Sequence, residues 1–172
     1  MAKIKGRTSG MTLSHFNEHG AARMVDVSGK NNTVRAAVAG ARVLMQPETL
    51  QMILECRVAK GDVFGVARIA GIMAAKRTSE LIPMCHPLNL SSVEVEFAPD
   101  SDASCVNIRA TAGIVGRTGV EMEALTAVAA AGLTIYDMCK SADRSMVVTD
   151  IRLLKKSGGA SGTFVRKRES RK

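Results

Sequence analysis

Ser92-Val93-Glu94-Val95-Glu96-Phe97 alternates apolar and acidic side chains, and after a turn at Ala98–Ala103 the alternation resumes in Cys105-Val106-Asn107-Ile108-Arg109-Ala110. A period of two turns one set of side chains to a core and the other to solvent, so both runs predict half-buried strands. Thr118-x-x-Glu121 follows with the spacing of a capping box and opens a long helix to about Lys140. Met146–Leu154 makes a final strand. Upstream, Val34–Leu44 reads as a strand with Gly40 marking a bulge, preceded by a shorter one at Met24–Val27. Pro47-Glu48 starts a short helix whose apolar face is Leu50, Ile53 and Leu54, and Asp62 N-caps another running to about Leu81. The predicted order is β-β-α-α-β-β-α-β, an α+β sandwich of antiparallel sheet and helices.

At 172 residues, 46% hydrophobic and 23% charged, the chain suits one globular domain with a real core. Aromatics make up only 3%, which excludes base-stacking platforms for single-stranded nucleic acid. The net charge of +8 sits mostly at the ends: Lys3, Lys5 and Arg7 supply +3, and Arg166, Lys167, Arg168, Arg171 and Lys172 against Glu169 supply +4. The body between Met11 and Thr163 keeps only +1 of the total, so the high charge belongs to solvated arms rather than a nucleic-acid face. The expected organisation is a mobile basic segment over 1–14, a single domain over 15–164 and a mobile basic tail over 165–172. Cys56, Cys85, Cys105 and Cys139 are dispersed, without a C-x-x-C pair or a signal peptide, which suits reduced thiols in the cytoplasm. The uncharged stretch Ala124–Tyr136 is too short to cross a bilayer, which takes about 20 residues. No membrane association is expected.

Two predicted helices lack a solvated face. From Val63 to Ala75 the only charge is Arg68, and from Ala124 to Tyr136 there is none. A monomer this small cannot cover both on every side, so homo-oligomerisation is expected, with Gly65, Gly71 and Gly132 allowing close helix approach.

Charged groups gather at the helix ends. Lys60-Gly61-Asp62 places a cation beside a helix N-terminus, which suits a phosphate and suits equally a solvated lysine before a capping aspartate. Asp137 and Lys140 stand at i, i+3, where the carboxylate can hold the lysine charged, the two can share acid and base roles, or they form a surface ion pair. Glu121 has a capping duty at the far end, whereas Glu123 has none. Pro83-Met84-Cys85-His86-Pro87 holds a histidine between stiffening prolines, as a general acid or base, a ligand-binding group or a packed loop residue. Lys155 to Gly162 is basic and glycine-rich without Walker spacing. No metal-ligand set is visible: His15 and His19 have helical spacing but lie in an end segment. Glu121 and Asp137 are sixteen positions apart, about 24 Å along a helix at ~1.5 Å per residue. One small-molecule pocket cannot span that, so if both ends serve one site they come from different subunits.

Several long motifs in one order resemble the MoaC family of molybdenum cofactor biosynthesis: Lys60-Gly61-Asp62-Val63-Phe64, Ala75-Lys76-Arg77-Thr78, Leu81 to Leu88, Thr118 to Thr126 and Thr134 to Lys140. The resemblance covers roughly His15 to Phe164. It implies a ferredoxin-like α+β fold, a hexamer built as a trimer of dimers, and sites at subunit interfaces. It implies a lyase that converts a cyclised dihydro-GTP, (8S)-3′,8-cyclo-7,8-dihydroguanosine 5′-triphosphate, to cyclic pyranopterin monophosphate and pyrophosphate. By motif, Asp137 is the catalytic acid/base with Lys60 and Lys140 as companions. Met84, Cys85 and His86 with Met122 and Glu123 line the substrate pocket, near Glu121, and Arg35, Lys76, Arg77 and Lys156 help with the phosphates. No cofactor is required; any Mg²⁺ arrives with the nucleotide. One departure is Ala160, where that family often carries lysine. A lysine among other cations is expected to have a lowered pKa suited to proton transfer. The rivals are a nucleic-acid-binding oligomer that uses its tails and a nucleotide-binding module without chemistry.

Overall fold

The computed structural model describes residues 20–167. The basic segment at 1–14, His15, His19 and the tail from residue 168 lie outside them. In chain order the elements are β1 (Thr33–Leu44), α1 (Pro47–Leu54), α2 (Val63–Lys76), α3 (Thr78–Leu81), β2 (Ser92–Asp100), β3 (Cys105–Gly116), α4 (Glu121–Cys139), β4 (Val147–Ser157) and β5 (Phe164–Val165). The sheet is antiparallel with order β2-β3-β1-β4-β5. Helices carry the chain from β1 to β2 and from β3 to β4, and β1 lies between β3 and β4; this is the ferredoxin-like α+β arrangement.

One face of the sheet is apolar by alternation. Ala37, Ala39, Ala41 and Val43 of β1 stand opposite Ala112, Ala110, Ile108 and Val106 of β3, all buried. The helices pack on that face. The near-absence of large rings is met by small residues, which let the helices come close. Gly71 of α2 faces α4 so tightly that a Cβ there would sit 2.9 Å from the Ala127 carbonyl oxygen and 3.5 Å from the Ala131 Cβ. Lys60, just ahead of α2, reaches Asp137 near the end of α4, so the two helices run antiparallel.

Four sequence expectations change. Met24–Val27 is not a strand; the segment lies beside the Pro83–Pro87 loop, where Val25 gives its carbonyl to His86. The helix begun at Asp62, whose side chain accepts from the Gly65 N–H at 2.9 Å as a cap should, ends at Lys76 rather than at Leu81. A break at Arg77 separates it from α3. The capping box at Thr118 does not form: the N-cap is Val120, without a side-chain cap, and Thr118 and Gly119 line a cavity instead. The irregularity at Gly40 belongs to β4, whose register against β1 slips twice around Gly40. Leu154 of the irregular strand lies against Gly40, so a Cβ there would meet Leu154 Cδ1 at 3.0 Å. The two-residue β5 is too short to show a period in the sequence; beyond it, Arg166 N–H donates to the Leu154 carbonyl.

The contact at Gly71 yields a stability prediction. Gly71→Val puts a branched side chain against a backbone carbonyl that cannot yield, and overpacking of this kind costs about 1–3 kcal/mol. Chemical denaturation should show a lowered midpoint with an unchanged slope, whereas an unchanged midpoint would mean that α2 and α4 do not depend on this approach.

Candidate active site

The end of α4 and the loop between α1 and α2 meet at three charged side chains. Lys140 Nζ donates to Asp137 Oδ1 at 2.6 Å, and Lys60 Nζ donates to Asp137 Oδ2 at 3.0 Å and to the Asp137 carbonyl at 2.7 Å. About half of each side chain is exposed. The carboxyl is held down to about 2, first by the hydrogen bond from Lys140 and then by that from Lys60. Lys140 has its pKa raised by the hydrogen bond and charge of Asp137, so the carboxylate holds this lysine charged, as the i, i+3 spacing allows. The group is a carboxylate that accepts hydrogen bonds from two lysine amines, open to solvent.

Asp143, which the sequence reading passed over, steadies this end. Its buried carboxylate accepts from the Gln46 N–H and the Ser145 N–H, both at 2.8 Å, and from Ser145 Oγ at 2.6 Å. Burial pushes its pKa up, and the hydrogen bonds from Ser145 and Gln46 bring the balance below the usual value. The start of α1 is thereby tied to the chain just after α4. The sequence carried no signal for this beyond an aspartate two residues before a serine.

The opposite end of α4 forms a cavity of about 320 Å³. Met84, Cys85, His86, Glu121, Met122 and Glu123 all line it, so six of the sequence-derived candidates converge. Glu123 is 4% exposed, and burial, then Glu121, raises its pKa. Burial also raises the Cys85 thiol. His86 Nε2 lies 2.9 Å from the Val25 carbonyl, an acceptor, which places a proton on Nε2. Lys30, Val25 and Val27 close the cavity from the segment before β1. Sequence reasoning missed them because a lone lysine in a turn has no pattern.

The remaining cations stand toward the same end of the fold. Lys76 and Arg77 are exposed at the break after α2, which runs antiparallel to α4. Arg35 of β1 donates from Nε to the Gly116 carbonyl at 3.0 Å, at the end of β3 that leads into α4. Lys156 of β4 donates to Ser161 Oγ across the glycine-rich turn. Gly158 and Gly159 have φ +90° and +73°, and a Cβ on Gly159 would sit 2.3 Å from Arg35 Nη1, so the turn needs glycine for both conformation and space. Within one chain the Lys60–Asp137–Lys140 group and the Glu123 cavity do not meet.

A family model described as MoaC family matches residues 24–159. The chain belongs to the MoaC family. It is 60% identical over 157 residues to the cyclic pyranopterin monophosphate synthase of Pelotomaculum thermopropionicum, covering 91% of this chain and 92% of that one. The protein of the same name from Rhodospirillum rubrum is 61% identical over 152 residues, 88% of this chain and 92% of that one. That from Syntrophomonas wolfei is 60% identical over 156 residues, 91% and 99% of the two chains. Like the motifs that carry the resemblance, the matched region takes in both charged groups. Among the described residues, no helix is long and apolar enough to cross a membrane.

The hydrogen bonds at Asp137 predict a titration. The carboxyl should titrate near 2 in the intact protein. Lys140→Ala should return it toward the ordinary carboxylate range by more than Lys60→Ala does. Its folded value lies below the unfolded one, so any stability it adds is present above the ordinary carboxylate pKa and lost as pH falls through about 2. Carboxyl ¹³C shifts followed against pH test this. An Asp137 that titrates near its ordinary value in the unaltered protein would show that the amines do not hold it.

Proposed function

We propose that this chain is a cyclic pyranopterin monophosphate synthase, a lyase of molybdenum cofactor biosynthesis. It takes the cyclised dihydro-GTP in which ribose C3′ is bonded to purine C8. A substrate hydroxyl attacks the α-phosphorus, the bond to the β-phosphate oxygen breaks, and pyrophosphate leaves as the purine is opened and rebuilt as a pterin. The observation that carries the reading is the open carboxylate hydrogen-bonded by two lysine amines, in a chain that shares motifs and length with proteins of that name. Lys140, kept charged by Asp137, and Lys60, hydrogen-bonded to the same carboxylate, donate protons to ring atoms as they become basic, and Asp137 holds the amines in place and takes protons back. Arg35, Lys76, Arg77 and Lys156 offset the charge of the triphosphate and of the departing pyrophosphate. Met84, Cys85, His86, Glu121, Met122 and Glu123 enclose the ring system. Any Mg²⁺ enters as part of the nucleotide substrate.

The working form in this reading is a homo-oligomer, a hexamer arranged as a trimer of dimers, acting in the cytoplasm. Its support is geometric. The two groups lie at opposite ends of the nineteen-residue α4, and one small molecule cannot touch both in one chain. The amine group of one copy therefore faces the Glu123 cavity of another. Apolar side chains left exposed on the helices, among them Val66, Ile69 and Met73 of α2 and Leu133 of α4, give such copies something to bury.

Lys60→Ala, Asp137→Ala and Lys140→Ala should each lower pyrophosphate release from the cyclised dihydro-GTP by about 10²-fold or more while the fold persists. Near-normal release would make the group a surface ion pair, and binding without release by the unaltered protein would favour a binding module without chemistry. The shared site is tested separately by mixing Glu123→Ala and Lys140→Ala subunits, with exchange shown by a tagged-subunit pull-down. Activity should return in the mixture, because some sites then receive neither alteration. Confirmed exchange without recovered turnover places both residues in one chain's site.

A further inference from the structure

Lys60 is placed by short stretches of hydrogen-bonded backbone. The Arg57 N–H donates to the Met52 carbonyl at 2.9 Å and closes the loop onto the end of α1. The Gly61 N–H donates to the Val58 carbonyl at 2.9 Å and closes a turn with Lys60 inside it. α1 and the turn therefore move together. Toward α4 they border a hollow of about 110 Å³, with Met52 and Val58 on one side and Met138 and Ala142 on the other. Close packing across that gap does not set the distance from Lys60 to Asp137; a polar tie at the other end of α1 does. The Gln46 N–H donates to Asp143 Oδ2 at 2.8 Å, and the Thr49 hydroxyl donates to the same oxygen at 3.5 Å. Gln46 is the N-cap of α1 and gives no side-chain cap of its own, so Asp143 brings a buried carboxylate to this helix start from 97 positions away.

The anchor is firm without that carboxylate. The Asp143 N–H donates to the Cys139 carbonyl at 3.1 Å, and the Tyr136 hydroxyl donates to the Arg144 carbonyl at 3.3 Å, so the turn after α4 stays on its helix. Loss of the carboxylate would free α1 rather than this turn. We propose that Asp143 is a positioning residue for the candidate active site: its carboxylate sets α1, and through α1 the turn that carries Lys60, at hydrogen-bond distance from Asp137. Lys140 shares a helix end with Asp137 and does not depend on the tie, so the two amines respond differently to its loss. For its bearing on turnover the role rests on Lys60, Asp137 and Lys140 being the reactive group; for its bearing on Asp137 it does not.

The test follows the Asp137 carboxyl by ¹³C shifts against pH in the full chain, in Asp143→Asn, in Lys60→Ala and in the double variant. An amide has one accepting oxygen where a carboxylate has two, so Asp143→Asn can keep the bonds from Ser145 or that from Gln46 but not both. The variant should raise the Asp137 midpoint from about 2 toward its value in Lys60→Ala, and in the Lys60→Ala background it should add no further rise. The sign is diagnostic. Removing a nearby negative charge by itself lowers a carboxyl pKa, so a rise reports the displacement of Lys60. Gln46→Pro cuts the same tie from the other side with every charge kept, and Gln46 has φ −68°, which proline adopts. It should give the same rise, and it carries the test should Asp143→Asn fail to fold. Pyrophosphate release should fall about 10-fold or more in kcat in both variants, since a misplaced group loses rate. An Asp137 that titrates alike in the unaltered chain, Asp143→Asn and Gln46→Pro overturns the positioning role, and so does a rise in the double variant equal to the sum of the two single rises. A raised Asp137 with unaltered pyrophosphate release supports the positioning role and counts instead against the group as the reactive one.

Discussion

The close approach of α2 and α4 at Gly71 is the constraint on which the rest depends. With the Ala127 carbonyl so near, only a missing side chain lets the two helices lie together along the sheet. Their antiparallel run then brings Lys60, at the start of one, to Asp137, at the end of the other. The same run carries Lys76 and Arg77 to the far end, toward Glu121 and Glu123. A wider helix spacing would move an amine away from the carboxylate that holds it, so a packing decision in the core is also a decision about charge at the surface.

Charge at the two ends of α4 is handled in opposite ways. At one end the groups are open to solvent, and direct hydrogen bonds rather than burial set the protonation states: the carboxyl is pulled down and the amine of Lys140 up. At the other end burial dominates and raises both Glu123 and Cys85. In the proposed shared site, the raised amine of Lys140 would stand on one wall and the raised carboxyl of Glu123 on the other. Groups whose environments push their affinities for protons in opposite directions suit a reaction with several proton transfers.

Much of the architecture was legible in the chain because it is written in short periods. The alternation of Val93, Val95 and Phe97 with Glu94 and Glu96 needs only neighbours to be read, and so does the cap that Asp62 gives to Gly65. The errors fall where a local pattern met a competing tertiary demand. Thr118 has capping spacing but is spent on the wall of a cavity, and Met24–Val27 has strand composition but follows the His86 loop. Of the candidate site residues, those inside long motifs were found, while Lys30 and Asp143 were not, since a single charged residue has no period.

The sequence by itself determined the strand faces, the helices without a solvated side, and the separation of Asp137 from Glu121 along one helix, because each follows from fixed rises and periods of the backbone. Only the tertiary structure decided which distant groups meet: that Lys60 reaches Asp137 across seventy-seven positions, and that Asp143 joins α1 to the end of α4. It also decided between the readings open for Asp137 and Lys140, since the carboxylate lies close enough to raise the lysine's pKa. Contacts of that kind depend on how far apart α2 and α4 settle and how β4 slips against β1, which are properties of packing between segments rather than of any segment alone.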